Sequence, residues 1–94
     1  MVILNPPANP TGGVTERAEL EAVLKVLKDY PDIWILSDEI YARMLYDGIE
    51  HVSPMQDPEI RDRVILLDGW SKTYAMTGWR MGFGVMRPDL AASF

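Results

Sequence analysis

The sequence predicts an α/β domain built on a parallel sheet covered by helices on both faces. Three observations carry that reading. Short apolar runs without apolar/polar alternation recur along the chain, as "VIL", "IWIL" and "RVILL", the pattern of strands buried on both sides. A stripe at helical spacing separates the first two. Each run also ends abruptly in polar residues, as strands do where they leave a sheet for a ligand-bearing edge.

The first element is a strand over Val2 to Leu4, opening into "NPPANPTGG". Pro6, Pro7 and Pro10 remove backbone donors and keep that loop extended and stiff, and Gly12 and Gly13 allow a sharp turn. Thr15 is the expected N-cap of the next helix, with Glu16 near the positive end of its dipole. Leu20, Val23, Leu24 and Leu27 form the apolar stripe, and the helix should stop near Tyr30, ahead of Pro31. A second strand is expected over Ile33 to Leu36, meeting Ser37, Asp38 and Glu39. "DPEIRDR" reads as one short helix, "RVILLDGW" as the third strand and "RMGFGVM" as the fourth, with Gly82 and Gly84 marking close backbone approach.

Composition narrows the function classes. The 94 residues suffice for one small domain, and hydrophobic (48%) and charged (24%) shares are those of a soluble globular chain. A net charge of -5 argues against nucleic acid or an anionic membrane as partner. No apolar run reaches membrane-spanning length, and no signal segment opens the chain, so a cytoplasmic protein is expected. Without cysteine, and with His51 the sole histidine, neither a disulfide framework nor a zinc site is available. The chain opens inside an apolar run and stops at "RPDLAASF", where a helix is expected to start, so a piece of a longer chain is expected.

Right-handed crossovers put the ends of parallel strands on one sheet edge. Asn5 and Asn9 follow the first strand, Asp38 ends the second, and Lys72 lies just beyond the third. Only three lysines occur, and Lys25 and Lys28 fall on the helix surface. An amine in a desolvated pocket forms a Schiff base with an aldehyde. A buried carboxylate needs a cationic or donor partner, and the forked guanidinium of Arg80 matches a phosphate. Aldehyde, protonated ring nitrogen and phosphate together describe pyridoxal 5'-phosphate.

At this point "NPPANPTGG", "SDEIYARMLYDG" and "DGWSKTYAMTGWRMGF" resemble three successive signatures of the class I/II aminotransferases, the aspartate-aminotransferase-like fold, in order and spacing. The resemblance covers all 94 residues and implies that residues 1–94 are part of the cofactor-binding large domain of a longer aminotransferase. It implies a mostly parallel sheet flanked by helices, with the last strand antiparallel. By position, Lys72 is similar to the lysine that holds the cofactor as an internal aldimine and shuttles the substrate α-proton. Asp38 resembles the carboxylate that keeps the pyridine nitrogen protonated. Tyr41 and Asn9 resemble the pair bonded to the 3'-oxygen, and Arg80 resembles the phosphate clamp. The phosphate-binding serine that many members of the family carry three residues before the lysine is replaced here by Gly69, so either Ser71 is a compensating contact or an upstream phosphate-binding loop carries more of the load. The resemblance further implies amino-acid and 2-oxo-acid substrates and a homodimer.

Other readings are weaker. The same signatures occur in lyases that cleave carbon–sulfur bonds, so that alternative stays open. A catalytically incomplete fragment that self-associates through an open sheet edge is a third reading. His51 is assigned a local loop bond and no role, and Trp70, Trp79, Tyr74 and Met76 are assigned to packing. "GWSKT" lacks the glycine before lysine of a phosphate-binding P-loop, and "GFGVMR" does not complete a dinucleotide fingerprint.

Overall fold

The computed structural model describes residues 1–93. In chain order the elements are strand β1 (Val2–Leu4), helix α1 (Arg17–Lys28), strands β2 (Ile35–Asp38) and β3 (Val64–Gly69), helix α2 (Trp70–Thr73), strand β4 (Gly82–Val85) and helix α3 (Pro88–Ala91). Three single 3-10 turns lie at Pro54–Gln56, Arg61–Arg63 and Thr77–Trp79. The sheet order is β1-β2-β3-β4. The first two pairings are parallel and the last antiparallel, as the resemblance implies.

Helix α1 forms because Leu20, Leu24 and Leu27 recur on one face and bury against Ile35, Val64, Ile60 and Val52. Each such leucine contributes about 1.5–3 kcal/mol. Val23 belongs to the expected stripe but remains 40% exposed at its edge. The N-cap is Glu16 rather than Thr15, because the Glu19 carboxylate reaches back and accepts the Glu16 backbone N–H at 2.9 Å. At the other end, Arg63 donates to the carbonyls of Leu27 (2.6 Å), Tyr30 (2.7 Å) and Ile33 (2.8 Å). One guanidinium thereby braces a helix end and the turn after it, adding to the backbone N–H groups that Leu27 O and Tyr30 O already accept.

Three local expectations shift. Strand β2 begins two residues later than the apolar run suggests, because Ile33 is still held in the preceding turn by its N–H to Tyr30 O (3.1 Å). "DPEIRDR" forms a turn and a single 3-10 turn instead of a helix. Its Asp57 carboxylate caps the Glu59 N–H at 2.9 Å and competes with helical bonding. The second face of the sheet is covered only in part: Ile65 is 8% exposed there, but Ile3 (66% exposed) and Leu67 (36%) on the same face lie open, although nothing in their residue types distinguishes them from the buried row.

Candidate functional site

The parallel pairing of β1, β2 and β3 brings their carboxyl ends to one edge, as the crossover argument requires. The loop after β1 folds back on itself, with Gly12 N–H bonded to Ala8 O (2.6 Å) and Ala8 N–H to Gly13 O (2.9 Å). The peptide bonds Pro6–Pro7 and Asn9–Pro10 are cis, and Gly12 takes the positive φ (72°) that the turn demands. This tight loop presents Asn9, whose Nδ2 donates to Tyr41 Oη at 3.3 Å.

Lys72 occupies the third position of α2, directly beyond β3. Its Nζ lies 5.8 Å from the centroid of the Tyr41 ring, within cation–π range. Asn9, Tyr41 and Lys72 therefore meet, although they come from three separate segments. Among the described residues Lys72 makes no side-chain hydrogen bond or ion pair, whereas Lys28 is engaged by Asp57 (3.0 Å) and Glu59 (3.1 Å).

Asp38 closes β2, half-buried, with Oδ1 accepting the Ile40 N–H at 3.3 Å. Ser71 is half-buried beside Lys72, and its carbonyl accepts the Met76 N–H at 3.0 Å. Arg80 is exposed and left-handed (φ 53°), with one N–H on Thr77 O at 3.1 Å. That backbone conformation is costly for a residue other than glycine and is found preferentially at functional sites. Arg80 is not in contact with the Asn9–Tyr41–Lys72 group through any hydrogen bond among the described residues.

A cleft of about 510 Å³ borders the group, lined by Asn9, Tyr41, Met44, Tyr46 and the proline loop. Lys72, Asp38 and Arg80 do not line it, so it adjoins the strand-end chemistry and does not contain it. Tyr46 lies on its wall, 77% exposed. Trp70 packs edge-to-face on Phe83 at 5.3 Å, as a packing role predicts. Tyr74 (63% exposed) and Trp79 (69%) do not pack as expected.

Sequence reasoning passed over one cluster. Glu39 is buried, and Ser37, Ser53 and His51 all bond its carboxylate, the imidazole at 2.7 Å. The available signal was the acid itself, since a carboxylate that follows a buried strand needs partners. His51, Ser53 and Ser37 were the polar residues at hand.

Residues 1–94 match the family described as aminotransferase class I and II. The aspartate/prephenate aminotransferase of Cereibacter sphaeroides is 44% identical over 82 residues, covering 86% of this chain and 20% of that protein. A probable aspartate aminotransferase of Methanocaldococcus jannaschii is 43% identical over 90 residues, 96% of this chain and 23% of that one. The crystal structure of the aspartate aminotransferase from Rhizobium meliloti superposes with a TM-score of 0.92 at 40% identity, over 95% of this chain and 22% of its own. The chain thus spans about a fifth of the length of the relatives it matches.

Proposed function

This chain belongs to the class I and II aminotransferases, and on that premise we propose that the full-length protein moves an amino group between an amino acid and a 2-oxo acid with pyridoxal 5'-phosphate as cofactor. The observation that carries the reading is the meeting of Asn9, Tyr41 and Lys72 at the carboxyl edge of the sheet. Two relatives named for aspartate make that amino acid the first donor to try.

The donor set fits the cofactor. Lys72 supplies a primary amine without a competing carboxylate, suited to hold an aldehyde carbon and then to carry a proton to and from the substrate α-carbon. Tyr41 accepts from Asn9 and still has its own O–H to donate, which suits a ring oxygen. Asp38 has carboxylate acceptor capacity beyond the Ile40 N–H, and in a half-buried place favours a protonated ring nitrogen. Arg80 spends one N–H on Thr77 and keeps the rest of its fork for a phosphate. Ser71 adds a hydroxyl beside Lys72 where Gly69 has none. When bound, the cofactor supplies the electron sink that makes the α-proton labile. A homodimer belongs to the same reading and rests on the resemblance alone.

The test is chemical. The full-length protein is mixed with pyridoxal 5'-phosphate, reduced with borohydride, and digested for peptide mass mapping. Label confined to Lys72 within this chain, with 2-oxo-acid-dependent amino transfer, is the expected result. Label on Lys25 or Lys28 with Lys72 unmodified would overturn the reading. Pyruvate released from cystathionine without amino transfer would assign the chain to a lyase instead.

A further inference from the structure

Glu39 is a buried carboxylate, 6% exposed, that the chemistry above does not use. It follows Asp38 directly, so backbone alternation turns its side chain to the opposite face. Ser37, two residues back on that face, donates to its Oε1 at 3.0 Å, Ser53 donates to the same oxygen, and His51 Nε2 lies 2.7 Å from Oε2. Among the described residues no lysine or arginine pairs with it.

The backbone of the same residue is fastened on both sides. Its N–H donates to Leu67 O of β3 at 2.8 Å, and its carbonyl accepts the Ala42 N–H at 2.8 Å. Ser53 in turn accepts the Met55 N–H at 3.2 Å and caps the Pro54–Gln56 turn, while Val52 between the two partners is buried in the core. One carboxylate therefore ties the end of β2 to a chain segment that returns from residues 40–50. Tyr41 lies two residues after this anchor, and Asp38 immediately before it. A plain structural plug at this place would be better served by an apolar side chain, because buried charge carries a desolvation cost. What the carboxylate adds is direction, through hydrogen bonds from three side chains.

We propose that Glu39, through His51 and Ser53, is a positioning residue that sets Asp38 and Tyr41 in place opposite Lys72. The inference rests on the aminotransferase reading given above. Its chemistry is indirect: no group of the cluster touches the reacting atoms, and the effect is transmitted through the short backbone between Asp38 and Tyr41.

The experiment uses the full-length protein loaded with pyridoxal 5'-phosphate, as wild type, His51→Ala, His51→Gln, Ser53→Ala and Glu39→Gln. Turnover is measured beside a pH titration of the bound cofactor's visible absorbance. His51→Ala is expected to lower kcat about tenfold with KM changed less than about threefold, the pattern of lost orientation. It should also move the midpoint of the absorbance titration, and His51→Gln, which keeps a donor for Glu39, should restore most of both. Ser53→Ala should give a smaller shift in the same direction. If Glu39→Gln fails to fold, the His51 pair still decides. A lower melting temperature with kcat and titration midpoint unchanged would overturn the proposal and leave a structural clasp. Wild-type protein that binds no cofactor would instead sink the aminotransferase reading, a distinguishable result that removes this inference with it.

Discussion

Asn9 and Tyr41, 32 residues apart in sequence, are joined by a 3.3 Å hydrogen bond from the Asn9 amide to the Tyr41 phenol oxygen. The bond links the loop after β1 to the segment after β2. It also orients the phenol, because an oxygen that accepts from one side directs its own O–H to another. With Lys72 Nζ 5.8 Å from the ring centroid, the tyrosine stands between an amide and an amine.

Replacing Tyr41 with phenylalanine keeps the ring beneath Lys72 and removes the oxygen. The full-length Tyr41→Phe protein should retain covalent cofactor on Lys72 while kcat/KM falls by about ten- to a hundredfold. Stability should change by no more than about 1 kcal/mol, the net worth of one hydrogen bond near the surface. Steady-state kinetics with a parallel thermal melt checks both. Unchanged kcat/KM would remove Tyr41 from the site.

Much of this was legible in the sequence, for identifiable reasons. The apolar runs gave away the strands because buried parallel strands need no alternation, and the polar residues that end them located the edge. Lys72 stood out through scarcity and position. The Glu39 cluster did not stand out, because Ser37, His51 and Ser53 are individually ordinary and their meeting requires a turn whose shape periodicity does not encode. Nor did the open part of the second face: Ile3 and Leu67 are as apolar as Ile35 and Val64, and only the three-dimensional arrangement separates exposed from buried.

Gly69 stands where the resemblance implies a phosphate-binding serine. Its extended φ of -177° suits any residue, so conformation is no obstacle. Space is: a Cβ there would meet Met81 O at 2.8 Å and Gly82 Cα at 3.0 Å, both main-chain atoms of the neighbouring segment. Gly69→Ser should therefore cost about 1–3 kcal/mol through forced displacement of β4. It should not tighten cofactor binding. Denaturant unfolding and a cofactor titration test the two halves, and a serine variant as stable as wild type would show that β4 gives way freely.

Arg63 acts far from the strand-end chemistry. Its three bonds to Leu27, Tyr30 and Ile33 carbonyls close the end of α1. Arg63→Ala removes a charged donor from all three carbonyls, of which Leu27 O and Tyr30 O still accept the backbone N–H groups of Tyr30 and Ile33, and should lower stability by about 1–3 kcal/mol. The absorbance of bound cofactor and KM should stay as in wild type. A change in either would mean that α1 communicates with the site.

The Glu39 carboxyl gives a pH dependence whose sign follows from its surroundings. Burial pushes its pKa up, but the bonds from His51, Ser53 and Ser37 together outweigh that and hold it below the ordinary value of 4.5. A carboxyl lowered on folding stabilises the protein fully above its unfolded value and loses that contribution as pH falls through the folded one. Asp57 is lowered as well, by its bond to Lys28, and titrates in the same acid range. Comparing wild type with Glu39→Gln cancels this background, since both proteins keep Asp57. The stability gap between them should narrow steadily as pH falls below about 5. Unfolding in denaturant at a series of pH values reads the gap directly. A gap that stays constant to pH 3 would mean that the Glu39 carboxyl has the same affinity for a proton folded and unfolded, and that His51 and the two serines do not favour its ionised form.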